Sequence, residues 1–289
     1  MQHVFINRIA QAELKQRKNI DGRVVPNVFD FDQPTWERDD YNRDLRDAFD
    51  IGADDLVFLQ ATRILDRKGI ESAIATVAAI DRDAARRKAL DGVRTAAGGR
   101  FQAASSRIVL LCAGIVETIG ISGDYWGALQ AMAKELGVDL RHVGDRVKHS
   151  RGLTAQGEKV YSLWDSYVDA DFVTYPSTWE GWGNQFIEAV FARLPILIFE
   201  YPVWTSDLGR VGFDVVSLGD QISGTDERGL VVVPSERVEQ AADGIVAILT
   251  DPARRKGIAD NNSAVARQHF SYDALQGHIE ALLAGAGIG

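Results

Sequence analysis

The chain has 289 residues, 46% of them apolar and 25% charged, ordinary values for a soluble globular protein and enough for one large domain or two small ones. Its 32 basic and 41 acidic residues leave a net charge of −9, which argues against DNA or an anionic membrane as the main partner but permits a local basic pocket. No apolar stretch approaches the ~20 residues of a membrane helix, and the N-terminus lacks a signal-peptide profile.

Val4-Phe5-Ile6 predicts a short strand, followed by a helix to about Lys18 and a second strand edge at Val24-Val25-Pro26-Asn27. So thin a layer reads as the tail of another domain or a segment that docks against one. Residues 1–22 are therefore expected to be an N-terminal segment attached to a main domain of residues 23–289. From there on, short apolar runs alternate with helical patterns, the signature of an α/β fold with a parallel sheet flanked by helices. Strands are expected at 57–60, 108–112, 140–143, 172–175, 196–199, 215–217 and 230–233. Helices are expected at 69–80, 123–136, 159–167, 184–192, 236–249, 253–268 and 272–283, with Ser235 and Ser271 as N-caps. Cys112, the single cysteine, sits in an apolar run and reads as core. It excludes a disulfide within the chain and fits a reducing cytoplasm. Two stretches break the alternation: 81–106 reads as an exposed helical extension ending in a flexible loop at Gly98-Gly99, and 148–158 reads as a loop.

The richest chemistry lies after the expected strand ending at Tyr175. Glu180 and Glu188, with seven residues between them, flank the turn Gly181-Trp182-Gly183, and Asn184 opens an amphipathic helix. This order places helix N–H groups in a crevice at a strand end, a setting suited to an anion. Glu180 is expected to project into the crevice beside an indole wall of Trp179 and Trp182. Glu188 lies about one turn into the helix among Phe186, Ile187, Ala189 and Val190, where a buried carboxylate needs a partner. A second cluster, Arg63 to Gly69, follows the strand at 57–60. Arg63 and Lys68 would emerge at its carboxyl end and clamp a diphosphate, whereas Arg67 reads as a solvated turn residue.

The two clusters together, strand–Arg-x4-Lys-Gly–helix and strand–Glu-Gly-x-Gly-x4-Glu–helix, resemble the C-terminal nucleotide-sugar domain of the retaining GT-B glycosyltransferases of family 4. The resemblance spans about residues 20–285 and includes Val25 to Asp30, similar to the family's interdomain Pro-Asn-x-x-Asp stretch. It implies a hexosyltransferase, or its donor-binding half, using a nucleoside-diphosphate sugar such as UDP-glucose or GDP-mannose, without a metal or other cofactor. Arg63 and Lys68 would contact the diphosphate, with Glu180 at the reacting sugar carbon and Glu188 at the ribose. The backbone of Gly183, Asn184 and Gln185 would complete the phosphate cradle. Arg146 and Val147 fall in a stretch loosely matching the one that cradles the base. The family's separate acceptor domain has no counterpart here, and His3 matches none of its histidines. The expectation is thus a donor-binding half that needs a second domain or partner chain for the acceptor.

The alternative is a non-catalytic nucleotide-sugar-binding module. A nucleotide-sugar epimerase of the same shape would also demand a second domain. Asp30-Phe31-Asp32 and Asp169-Ala170-Asp171 match a metal-binding Asp-x-Asp pattern, which 41 acidic residues produce by chance. Phe186 occupies the place of the third glycine of a dinucleotide fingerprint, against NAD.

Overall fold

The computed structural model describes residues 3–117 and 124–285. Its centre is a six-stranded, wholly parallel sheet. In chain order the strands of this sheet are β1 (Leu56–Gln60), β2 (Ile108–Cys112), β3 (Asp139–His142), β4 (Phe172–Tyr175), β5 (Ile196–Ile198) and β6 (Val216–Ser217). Their order across the sheet is β6-β5-β4-β1-β2-β3. The chain therefore winds outward in both directions from β1 and β4, and the crevice between them is where such sheets bind ligands.

β1, β2 and β4 are buried throughout, because helices cover both faces; this is why they read as continuous apolar runs rather than alternating ones. Val57, Leu59, Val109 and Leu111 face one core layer, and Leu56, Phe58, Leu110 and Cys112 the other. Cys112 is fully buried, and burial pushes its thiol up to about 12. Where β1 and β4 end, Gln60 Nε2 donates to Thr62 Oγ1 (2.7 Å) and Thr174 Oγ1 donates to Gln60 Oε1 (2.7 Å). These bonds satisfy polar groups directly beneath the crevice.

The Asp-x-Asp at 169–171 belongs to the opposite end of the strands. Arg46, buried, donates to the carbonyls of Asp55 and Asp169 and pairs with both carboxylates, while Asp171 Oδ2 accepts from Val57 N at 2.9 Å. Asp30 accepts from the amides of Asp32 and Gln33, as a turn residue does.

Several expectations need correction. Residues 81–106 are not an exposed extension. After a helix at Ala84–Ala89 the chain folds back, burying Leu90 and Phe101 completely, and Ala96 N donates to Asp171 Oδ1 at 2.6 Å. The helix expected at 159–167 is a strand, Lys159–Ser162, followed by a short helix, Leu163–Val168. Val160 and Tyr161 favour strand, and Ser162 with Asp165 forms a capping box that starts the helix. That strand joins Val147–Lys148 and Gly152–Leu153 in a small sheet, so 148–158 is not simply a loop. Val231–Val232 pairs antiparallel with Gly224–Thr225, outside the parallel sheet. Ser235 is the first residue of its helix rather than its cap, whereas Ser271 Oγ accepts from Ala274 N at 3.2 Å. The expected start at 123 lies outside the described residues; the helix is described from Tyr125 to Leu136.

At the N-terminus Val4–Phe5 pairs in parallel with Arg23–Val24 across the helix Arg8–Lys18, so the expected division after residue 22 runs through this β-α-β unit. The unit is tied to the main body by Asn7, whose Nδ2 donates to Gly181 O at 2.7 Å, and by Arg8 N, which donates to Asp207. No helix among the described residues is long and apolar enough to cross a membrane.

Candidate active site

The loops leaving β1 and β4 are bonded to each other. Thr178 N donates to Arg67 O at 2.9 Å, which draws the Arg67-Lys68-Gly69 turn against the segment after Tyr175. Gly69 makes this approach possible: its φ is +59°, and a Cβ there would lie 2.3 Å from Pro176 O.

Across that junction the carboxylate of Glu180 is gripped from both sides. Lys68 Nζ donates to Oε1, and Arg67 NH1 donates to Oε2 at 2.7 Å and to Trp179 O at 2.9 Å. The Lys68 side chain is 4% exposed and that of Glu180 10%, so both ions sit largely out of water. Burial alone would raise Glu180, but Lys68 above all, with Ser177 and Arg67, holds it below its usual value, and it is ionised. Burial, reinforced by Arg67 and Arg63, pulls the Lys68 ammonium down against the opposing pull of Glu180. Beneath them Lys68 Nζ lies 5.9 Å from the ring centroid of the buried Tyr175.

Three residues beyond Glu180, Gly183 precedes the helix Asn184–Phe191, which has no side-chain N-cap. Phe186, Ile187, Ala189 and Val190 bury its apolar face, and burying each large side chain contributes roughly 1.5–3 kcal/mol to holding the helix tip in place. The helix begins four residues after Glu180, and the amides of its first turn carry partial positive charge. Glu188, one turn in, accepts from Tyr167 OH at 3.1 Å; burial pushes it up to about 7 despite that bond. It lines, with Asn184, Ile187 and Trp182, a cleft of about 490 Å³ closed on its far side by Pro26–Phe29 and Tyr272. Asn27 Nδ2 donates to Asn184 Oδ1 at 2.9 Å, so the Pro-Asn stretch touches the helix tip directly.

Of the residues singled out from sequence, Lys68 and Glu180 meet across the crevice, followed along the chain by Gly183, Asn184, Gln185 and Glu188. Arg63 is in the electrostatic range of Lys68 but half exposed, and its guanidinium pairs with Glu117 on the loop after β2. Arg146 is turned elsewhere: it donates to Lys159 O at 3.1 Å and lies over the rings of Phe49 and Tyr161. Val147 is buried in the small sheet next to it. Trp179 is 53% exposed, whereas Trp182 is buried, packed on Phe270. Arg67, set aside as a solvated turn residue, is bound to Glu180. The clue in the sequence was its place next to Lys68, but adjacency alone carries no direction.

The group thus joins two cations to a fixed, ionised carboxylate on the loop that leads, four residues on, into an uncapped helix N-terminus, and both cations and such a terminus attract anions. No model of a known protein family matches the chain. It is similar to the mannosylglucosylglycerate synthase of Petrotoga mobilis, 43% identical over 253 residues, covering 86% of this chain and 55% of that protein. To the mannosylglucosylglycerate synthase of Thermotoga maritima it is 38% identical over 276 residues, covering 96% of this chain and 60% of that one. The chain therefore spans little more than half the length of these relatives. Among solved structures it matches Anabaena HepE, crystallised with UDP and glucose, at a TM-score of 0.63 and 16% identity, covering 98% of this chain and 63% of HepE. By sequence the chain is similar to mannosylglucosylglycerate synthases, and its fold is that of the GT-B glycosyltransferases.

Proposed function

We propose that the chain is the donor-binding part of a retaining hexosyltransferase that uses a nucleoside-diphosphate sugar. The observation that carries this reading is the meeting of Lys68 with Glu180 at the crevice between β1 and β4, on the loop that leads into the uncapped helix Asn184–Phe191. The diphosphate would lie against the amides of Gly183, Asn184 and Gln185, with Lys68 and Arg63 neutralising its charge. As the bond from the anomeric carbon to the phosphate oxygen breaks, these cations would stabilise the departing diphosphate, a task that needs no metal. Glu180 would stand at the sugar and oppose the positive charge developing on its ring, while the acceptor hydroxyl forms the new bond on the same face and passes its proton to the departing phosphate oxygen. Glu188 would accept from the ribose hydroxyls in the cleft it shares with Asn184 and Trp182.

The relatives' name makes a mannosyl donor the first to test and a glucosylglycerate the first acceptor, with UDP-glucose as the comparison donor. A second domain or partner chain would hold that acceptor, and the β-α-β unit at residues 3–25, anchored to Gly181 by Asn7, is a place for it to join. The buried Cys112 suits a cytoplasmic setting. The test is a thermal-shift series with GDP-mannose, UDP-glucose, GDP, UDP and the free nucleosides, followed by product analysis with the best donor. A rise in melting temperature with a sugar nucleotide supports the reading by mass action. No shift with any of them, at millimolar ligand, counts against it.

A further inference from the structure

Two cations share one carboxylate at the crevice, and they are not equivalent. Lys68 is almost wholly enclosed and bonds only Oε1 of Glu180, whereas Arg67 is 32% exposed and its NH1 is fixed between Glu180 Oε2 and Trp179 O. A diphosphate that recruits Lys68 must take it from Glu180. Leaving a buried carboxylate without a cation is costly, more so than the pair itself is worth. With Arg67 in place the carboxylate keeps one partner when Lys68 turns away, so the exchange never leaves a bare charge.

We propose that Arg67 is a positioning residue that releases Lys68: it holds Glu180 ionised and in place while the lysine passes from carboxylate to diphosphate. This rests on the donor-site reading above and adds to it a residue that need not touch the ligand. The group Lys68–Glu180–Arg67 carries a net charge of +1 and accepts an anion readily. Without Arg67 it is neutral, and Lys68 is held by Glu180 alone.

The proposal separates an indirect role from a direct one by its dependence on Glu180. Affinities for GDP and UDP are measured by calorimetry on the wild type, Arg67→Gln, Glu180→Gln and the double variant, with thermal melts to confirm folding. Arg67→Gln should weaken whichever nucleotide the wild type binds by about tenfold, the scale of one charge-assisted contact. In the Glu180→Gln background, where Lys68 is already free, the same change should cost less than about twofold. If Arg67→Gln alone does not fold, the comparison of the double variant with Glu180→Gln still decides. An equal loss in both backgrounds means that Arg67 binds phosphate itself, and no loss in either means that it does nothing; both overturn the proposal. Failure of the wild type to bind GDP or UDP overturns the donor-site reading, and this inference falls with it.

Discussion

Lys68 and Glu180 lie 112 residues apart in the chain and meet in a buried ion pair at the point where the winding of the sheet reverses. Their contact joins the loop after β1 to the loop after β4, and the same second loop ends in the helix tip at Asn184. Backbone geometry thereby fixes a cation against an anion on the loop that leads into a helix N-terminus.

Glu188 makes stability depend on pH. Its folded-state value of about 7 lies above the 4.5 of an unperturbed glutamate. The folded chain therefore holds this proton to higher pH than the unfolded chain, and the stabilisation is complete below about 4.5 and lost as pH rises through about 7. Glu188→Gln should remove that dependence, stabilising the protein at pH 8 relative to wild type by up to about 3 kcal/mol and little at pH 4.5. Denaturant melts of both proteins at the two pH values check this. A parallel pair of stability curves contradicts it.

The same group should tie donor affinity to pH in the opposite sense. Accepting from two ribose hydroxyls favours the ionised carboxylate, so affinity for the free nucleoside, which carries no titrating phosphate, should rise as pH passes from 6 to 8. The rise should vanish in Glu188→Gln. A flat wild-type profile would remove Glu188 from the ribose.

Arg46 ties the entry ends of β1 and β4 together through Asp169 and Asp171. Arg46→Met leaves the buried Asp171 without its paired cation and Asp169 with Arg38 alone. A loss of about 3–5 kcal/mol in unfolding free energy is expected. Urea denaturation reads it directly, and a loss below about 1 kcal/mol would show that Arg46 is dispensable.

Gly69→Ala puts a methyl group against Pro176 O at a positive φ. The turn must shift to relieve the clash, which costs on the order of 1–3 kcal/mol and displaces Lys68 from Glu180. Both the melting temperature and nucleotide affinity should fall. Unchanged affinity in a folded variant would mean that the position of this turn does not matter.

Much of the fold was legible because its signals are local. β1, β2 and β4 are short, largely apolar runs, and the glycines after 68 and before 184 mark loops leaving strand ends. Lys68 and Glu180 stood out by their place just after strand ends, and Glu188 as the lone charge on an apolar helix. What escaped was settled by contacts distant in sequence. Arg67 differs from an ordinary basic turn residue only because Thr178 pulls its backbone toward Glu180. Trp179 and Trp182 look equivalent on the page, yet Phe270, some ninety residues on, buries only the second. Lys159–Ser162 reads as the start of a helix until Val147 and Gly152 supply strand partners.

In the proposed donor site one pyrophosphate is held jointly by the loop after β1 and the helix after β4. Calorimetry with a nucleoside diphosphate and its parent nucleoside, on wild type and Lys68→Ala, tests it most directly. Lys68→Ala should weaken the diphosphate by at least about tenfold, the worth of a lost charge-assisted contact, and leave the nucleoside within about twofold. Equal weakening of both ligands, or none of either, would contradict it.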